Sequence, residues 1–273
     1  MITAEFDYIK ATSVDDALLL LSEHQDEAKL LAGGHSLLPL MKLRLARPSV
    51  LVDIRSLAEL RGIRENEGQL LIGAGTRYRE LESHPAIKAG APLLAYAAST
   101  IGDPQVRSRG TIGGSLAHAD PAADLPAVLL ALDATVMVRG VDGRRDIPIG
   151  EFFVDFWETA LRPGEIIEQV AVPTQAGRPW SYQKFHQRSQ DWAIVGVAAL
   201  GGAKPRIALV NMAMTPTRAV GVERALAEGL RGRDAAQRAD EGTNPSNDLR
   251  ADEAYRRHLS RTLMLRALDE IAA

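Results

Sequence analysis

Two glycine-rich segments carry the chemistry legible in this chain: Ala32-Gly33-Gly34-His35-Ser36 and Thr111-Ile112-Gly113-Gly114-Ser115. Each follows or lies within an apolar stretch and offers closely spaced backbone N–H groups with almost no side chain over them. Glycine lets a ligand approach the backbone, and clustered amides form a nest for an anion such as a diphosphate. Gly-Gly is also ordinary turn punctuation, so one such segment alone carries little weight. Two of them, one per half of a candidate domain, point to a long ligand whose pyrophosphate is gripped from both sides. The usual dinucleotide pattern is absent. A Rossmann site needs G-x-G-x-x-G after the first strand, but the only G-x-G after a strand-like run is Gly73-Ala74-Gly75, and Tyr78 stands where the third glycine belongs. There is no Walker A pattern either. The diphosphate ligand therefore belongs to another architecture.

The chain has no cysteine. That excludes disulfides, a thiolate nucleophile, Cys-ligated zinc and Cys-ligated iron–sulfur clusters on this polypeptide. A redox group, if used, must be organic or sit on another subunit. His118, Asp120 and Asp124 lie close in sequence, but Pro121 interrupts the run and no metal site is assigned. No side chain is nominated as a catalytic nucleophile. With a net charge of −3, nothing points to nucleic acid or an anionic membrane surface as partner. The N-terminus lacks a basic segment followed by an apolar one, and the apolar runs are too short to span a bilayer, so a cytoplasmic location is expected.

Positioning these segments falls to elements of both kinds. Hydrophobic residues make up 46% and charged residues 25% of 273 positions, enough for about two domains with their own cores. Ser13 with a carboxylate at Asp16 reads as the cap of a helix through Leu18 and Leu21. Residues 29–31, 49–54 and 69–74 read as strands, the first running straight into the first glycine segment. Residues 93–100 and 123–133 read as helices, Asp124 lying in the first turn of the second. Residues 134–139 and 166–172 are strand-like, and 173–179 reads as a linker. Beyond it come strands at 181–187, 193–200 and 206–214 and helices at 220–228 and 251–271. The last helix presents Tyr255, Leu259, Leu263, Met264, Leu268 and Ile271 on one face. Residues 231–247 are polar and turn-rich, as in a mobile loop. The mixture is α+β rather than alternating βαβ units.

Three segments together resemble a known family: AGGHS at 32–36, IGDPQVRSRGTIGGSLAHADPAAD at 101–124 and KFHQRSQDWA at 184–193. They look like the FAD-binding (medium) subunit of molybdenum hydroxylases, the xanthine dehydrogenase family, with bacterial carbon monoxide dehydrogenase medium subunits nearest. The resemblance covers essentially the whole chain and implies an α+β fold in two domains. Residues 1–176 would form a two-part FAD-binding domain of the vanillyl-alcohol-oxidase (PCMH) type, with subdomains of about 1–55 and 56–176. Residues 177–273 would form a C-terminal α+β domain with a three-stranded antiparallel sheet and helices. It further implies that Leu30, Leu31, Ala32, Gly33, Gly34, His35, Ser36 and Leu37, with Thr111, Ile112, Gly113, Gly114 and Ser115, wrap the FAD pyrophosphate and ribose. Ile101 and Leu161 would be apolar contacts, and Asp124 would bond the adenosine part. Lys184 would lie beside the flavin, and Trp192 would screen one of its faces.

Each of these residues has a plainer reading. Asp124 can simply oppose a helix dipole, Lys184 can be a solvated charge on a strand, and Trp192 can be core. Arg107 and Arg109 can be surface charges, phosphate contacts or interface residues. A Gly-Gly-His histidine attaches FAD covalently in another branch of the fold superfamily, but that branch has a much larger substrate domain and often a second link through Cys. Non-covalent FAD is expected here. The implied activity is electron transfer within a heteromeric enzyme of (αβγ)2 type. A large molybdopterin subunit would oxidise the substrate, and a small subunit with [2Fe–2S] clusters would pass electrons to this chain. The rival readings are a self-sufficient flavin oxidase and an assembly subunit that has lost FAD.

Overall fold

The computed structural model describes residues 2–175 and 177–272. The domain boundary expected at residue 176 lies outside the described residues. The linker residues around it are tied to the first half of the chain: Thr174 N–H donates to the Gly68 carbonyl (2.9 Å) and Gln175 N–H to that of Gly90 (2.6 Å).

The first 53 residues build a small parallel sheet. Strand Val50–Asp53 is central, with Asp7–Lys10 and Ala28–Leu31 on its two sides. Helix Val14–His24 connects the outer strands, and its buried Val14, Ala17 and Leu18 face the sheet. Ser13 caps it, accepting from Asp16 N–H at 3.0 Å. The Asp16 carboxylate reaches back one residue further than a capping box requires, to the Thr12 N–H (2.7 Å) and hydroxyl (2.8 Å). This portion is a local βαβαβ unit, where the sequence suggested none. Strands of four residues buried against a helix show too little alternation to declare a parallel pairing.

A five-stranded sheet follows in the order Ile63–Asn66, Gln69–Gly73, Ile166–Pro173, Thr135–Gly140, Gly143–Pro148, with all neighbours antiparallel. Its apolar face packs on helices Pro92–Ser99 and Asp124–Ala131. A two-strand hairpin, Phe153–Asp155 and Glu158–Thr159, projects beside it. Neither that hairpin nor strand Gly143–Pro148 was evident from sequence.

The third sheet carries the three expected antiparallel strands, Trp180–Phe185, Val195–Leu200 and Arg206–Val210, plus a two-residue fourth, Thr217–Arg218. Side chains alternate across a strand, and here both faces are covered. Val195, Val197, Ala199, Ile207 and Leu209 join helix Glu253–Ala272 in one core. Ala198, Leu200, Ala208 and Val210 join Leu125 and Leu129 of helix Asp124–Ala131 in another. One hydrophobic core therefore runs across the division between the two halves of the chain.

Two expectations need correction. Residues 231–247 contain helix Gly232–Ala236, with Ala235, Ala236 and Ala239 in the core and Asp240 paired to Arg261 at 2.6 Å. The polar composition hid an alanine stripe. On the last helix, Leu259, Leu263, Met264 and Leu268 are buried as expected, but Tyr255 is exposed and Arg256 takes the inward position. Arg256 is fully buried because its Nη1 donates to the Ile194 carbonyl (2.5 Å) and its Nη2 meets Asp248 at 2.6 Å. Among the described residues, no helix is long and apolar enough to cross a membrane.

Candidate cofactor-binding site

The two glycine segments, 75 or more positions apart in sequence, meet in space. The first leaves strand Ala28–Leu31 and bends before helix Leu37–Lys42. Gly34 takes φ of 75°, the left-handed region that suits glycine. Gly33 lies so close to Arg109 and Gly110 that a Cβ there would collide with the Arg109 carbonyl oxygen. Among the described residues, the N–H groups of Gly33, Gly34, His35 and Ser36 donate to no protein acceptor. Four adjacent free donors form an anion nest.

The second segment is different from what its composition suggests. It is the first turn of helix Ile112–His118, and Thr111 is the cap. Its amides from Ile112 onward are already engaged: Ile112 N–H with Thr76 O (3.0 Å), Gly113 N–H with Ala74 O (2.9 Å), and Ser115 N–H with Thr111 O (3.0 Å). Gly114 N–H donates to Thr111 Oγ1 at 3.1 Å. Gly113 is needed for packing, since a Cβ there would stand 2.6 Å from that of Ala74. The nest is thus one-sided. The first segment supplies the donors, and the second supplies a bare wall.

Both segments line one cavity of about 1060 Å³. That is at the upper end of small-molecule sites, which run to roughly 1,000 Å³, and suits a long ligand. Of the expected residues, Leu30, Ala32, Gly33, Gly34, His35, Ser36, Leu37, Thr111, Gly113, Gly114, Ser115 and Leu161 line it. Leu31 and Ile112 point instead into core clusters. Ile101, Asp124, Lys184 and Trp192 do not line it. Ile101 packs on the main core. Trp192 is 59% exposed, with the Arg250 guanidinium 5.7 Å from its ring. The two arginines left open by sequence separate cleanly: Arg107 pairs with Glu82 at 2.8 Å, whereas Arg109 lines the cavity.

Charge favours an anion. The lining holds Lys29, Arg55, Arg61, Arg77, Arg109 and Arg162 against Asp26 and Glu165, and Glu165 is already paired with Arg145 (2.7 Å). Arg55 is bound to Asp53 at 2.7 Å, but Lys29, Arg77, Arg109 and Arg162 form no ion pair among the described residues. A concave wall of one sign concentrates field on the ligand. Sequence reasoning missed Tyr78, which lines the cavity beside Ser115. Burial, opposed by the Ser115 hydrogen bond and reinforced by the charge of Asp124, pushes its hydroxyl up to about 12.

Asp124 and Lys184 are brought together, but with each other. Lys184 Nζ lies 3.0 Å from Asp124 Oδ2 and 3.2 Å from the Thr100 carbonyl, and Tyr182 donates to Asp124 Oδ1. Burial pushes the Asp124 carboxyl above its ordinary range, while the Lys184 ammonium and Tyr182 hydroxyl pull the other way. His118, Asp120 and Asp124 have separate partners. His118 stands 5.5 Å from the Trp157 ring, and Asp120 accepts from Ala122 N–H (2.9 Å).

Known proteins decide between the candidate ligands. Residues 4–175 match the family described as the FAD binding domain in molybdopterin dehydrogenase, and residues 180–271 match the CO dehydrogenase flavoprotein C-terminal domain. This chain is an FAD-binding medium subunit of the molybdenum hydroxylase family. Among the medium subunits, it is 41% identical to the carbon monoxide dehydrogenase medium chain of Hydrogenophaga pseudoflava, over 98% of each chain. It is 40% identical to the 6-hydroxypseudooxynicotine dehydrogenase complex subunit alpha of Paenarthrobacter nicotinovorans, over 96% of this chain and 93% of that one. A solved structure of the Hydrogenophaga pseudoflava carbon monoxide dehydrogenase superposes with a TM-score of 0.96 at 42% identity, covering 100% of this chain and 99% of the other. Quinoline 2-oxidoreductase from Pseudomonas putida 86 gives 0.94 at 30% identity, covering 100% and 98%. The medium subunit described here is accordingly a flavoprotein component of an oxidoreductase, and the resemblance read from the glycine segments holds.

Proposed function

We infer that this medium subunit holds FAD non-covalently in the 1060 Å³ cavity and relays electrons from a partner iron–sulfur subunit to an external acceptor. The observation that carries this reading is the nest at 33–36: four residues whose N–H groups have no protein acceptor among the described residues line a cavity that also holds Lys29, Arg77, Arg109 and Arg162, none of them in an ion pair among those residues. The diphosphate belongs against these amides, with the bare Gly113–Gly114 wall opposite and Arg77 and Arg109 within the same lining. His35 lines the cavity with its Nδ1 already 3.0 Å from the Gly33 carbonyl, which suits a polar contact rather than a covalent link. A flavin suits the junction because it accepts electrons singly and can release them in pairs. The protein's own task is to bind, orient and shield it.

The lack of cysteine fits a division of labour in which [2Fe–2S] clusters sit on a small subunit and molybdopterin on a large one, within an (αβγ)2 cytoplasmic assembly. The structural relatives include a Cu,Mo-CO dehydrogenase, 33% identical over 99% of each chain. Residues 1–176 form the FAD-binding domain in this reading, with its division near residue 55, and 177–273 the C-terminal domain.

Purification of the chain from its native host tests the proposal. The expected result is a yellow complex containing one FAD per copy of this chain, together with iron–sulfur and molybdopterin subunits. A colourless complex, or a yellow chain that oxidises substrate alone, overturns it.

A further inference from the structure

The cavity has an aromatic mouth that none of the features above uses. Phe156 and Trp157 form the tip of hairpin 153–159, between the paired residues Asp155 and Glu158. Trp157 adopts φ of 57°, a left-handed conformation that is a genuine outlier for a bulky side chain and that asparagine or glycine would take more easily. Its ring stacks on Phe156 (centroids 5.4 Å apart, 12° between planes) and lies 5.5 Å from His118. Both Trp157 and His118 line the cavity. Even so, 49% of Trp157 stays exposed, so the indole is not there to fill a core. A large ring held in a disfavoured backbone state, half open and facing a ligand cavity, is a ligand contact in waiting.

The position along the cavity says which part of a ligand it meets. His118 ends the helix that begins beside the diphosphate wall, and the four residues from Gly114 to His118 advance about 6 Å at 1.5 Å per residue. That distance accommodates one pentose between phosphate and ring. The flavin half carries an open ribityl chain, which is longer. Leu161, four residues beyond Trp157, also lines the cavity and supplies an apolar wall.

We propose that Trp157, backed by Phe156, clamps the adenine of the bound dinucleotide by ring stacking at the cavity mouth. The clamp rests on the FAD reading above and adds a residue to it. It makes Trp157 a binding residue at the end of the cofactor that does no redox chemistry.

The test uses the full chain freed of flavin, with FAD, ADP and FMN as probes and two variants, Trp157→Leu and Trp157→Phe. Loss of the ring in W157L weakens both FAD and ADP by about tenfold, the scale of one base–aromatic stack. W157F keeps a ring, so it retains most of the affinity but loses the quenching of tryptophan emission that ADP produces in the parent chain. Far-UV ellipticity checks that each variant folds, and W157F keeps the test alive if W157L does not. Unchanged FAD and ADP affinities in folded W157L overturn the clamp. So does a loss confined to FAD and FMN, which would put the flavin under the indole instead. If the parent chain binds neither FAD nor ADP, the cavity assignment itself falls, a failure visible without any variant.

Discussion

At the scale of single residues, the site divides into what chemical type reveals and what only folding reveals. Gly33 and Gly34 are legible because a bare backbone near an apolar strand has few other uses. Thr111 to Ser115 looked equivalent, but in space the amides of Ile112 to Ser115 are satisfied by Ala74, Thr76 and Thr111, and the absence of side chains is what matters there. Nothing in sequence could separate free amides from engaged ones, because the acceptors come from a strand end some 38 positions away. Gly33 gives a sharp test. A methyl group at this position meets the Arg109 carbonyl, which cannot swing aside as a side chain would. Gly33→Ala should therefore cost roughly 1–3 kcal/mol by overpacking and lower FAD content in purified protein. Gly150→Ala is the matching control: the nearest atom, on Leu130, is 3.8 Å from its Cβ. Flavin absorbance per chain and melting temperature, measured side by side, check both. Equal FAD content in the two variants would remove Gly33 from the site.

At the scale of elements, periodicity found the strands and helices with clear apolar patterns and missed those held by charge. Strand Gly143–Pro148 reads GRRDIP and looks like a loop. It is a strand because Arg144 and Arg145 reach across the sheet to Glu168 and Glu165, both at 2.7 Å. Strand Asp7–Lys10 escaped notice for a related reason: three of its four residues are exposed. It is tied to the central strand by Tyr8, which donates to Asp53, and Asp53 in turn holds Arg55 at the cavity lining. Burial pushes the Asp53 carboxyl up, but the hydrogen bonds from Arg55 and Tyr8 and the guanidinium charge outweigh it, leaving the group at about 2 instead of 3.8. A carboxylate depressed on folding stabilises the fold at pH above its unfolded value. That contribution is lost as pH falls from about 4 through about 2. Because solvent reaches Arg55, the effect should be roughly 1–2 kcal/mol. Asp53→Asn should flatten the acid limb of the stability profile between pH 4 and pH 2, measured by denaturant titration. A variant profile parallel to the parent's would show that the carboxylate is not the group responsible.

At the scale of the whole molecule, the C-terminal sheet works as a shared wall. Ala198, Leu200, Ala208 and Val210 on strands Val195–Leu200 and Arg206–Val210 close the core of the FAD-binding half, and the odd-numbered residues bury the last helix. Composition gave two domains with separate cores, because a strand buried on both faces reads as one apolar run and does not announce that its faces belong to different partners. The one buried ion pair across this wall among the described residues is where the coupling can be measured. Asp124 opens helix Asp124–Ala131 on one side, Lys184 lies on strand Trp180–Phe185 on the other, and both side chains are at most 5% exposed. Removing one partner leaves an uncompensated charge in the interior, which typically costs about 3–5 kcal/mol, whereas replacing both with neutral groups is often near neutral. Lys184→Met should thus destabilise the full chain on that scale, and Asp124→Asn with Lys184→Met should recover most of the loss. Chemical unfolding of the three proteins decides the matter. Should the double variant be as unstable as the single one, the pair does not link the halves, and the apolar contacts of Leu125, Leu129, Ala198 and Leu200 hold the wall without it.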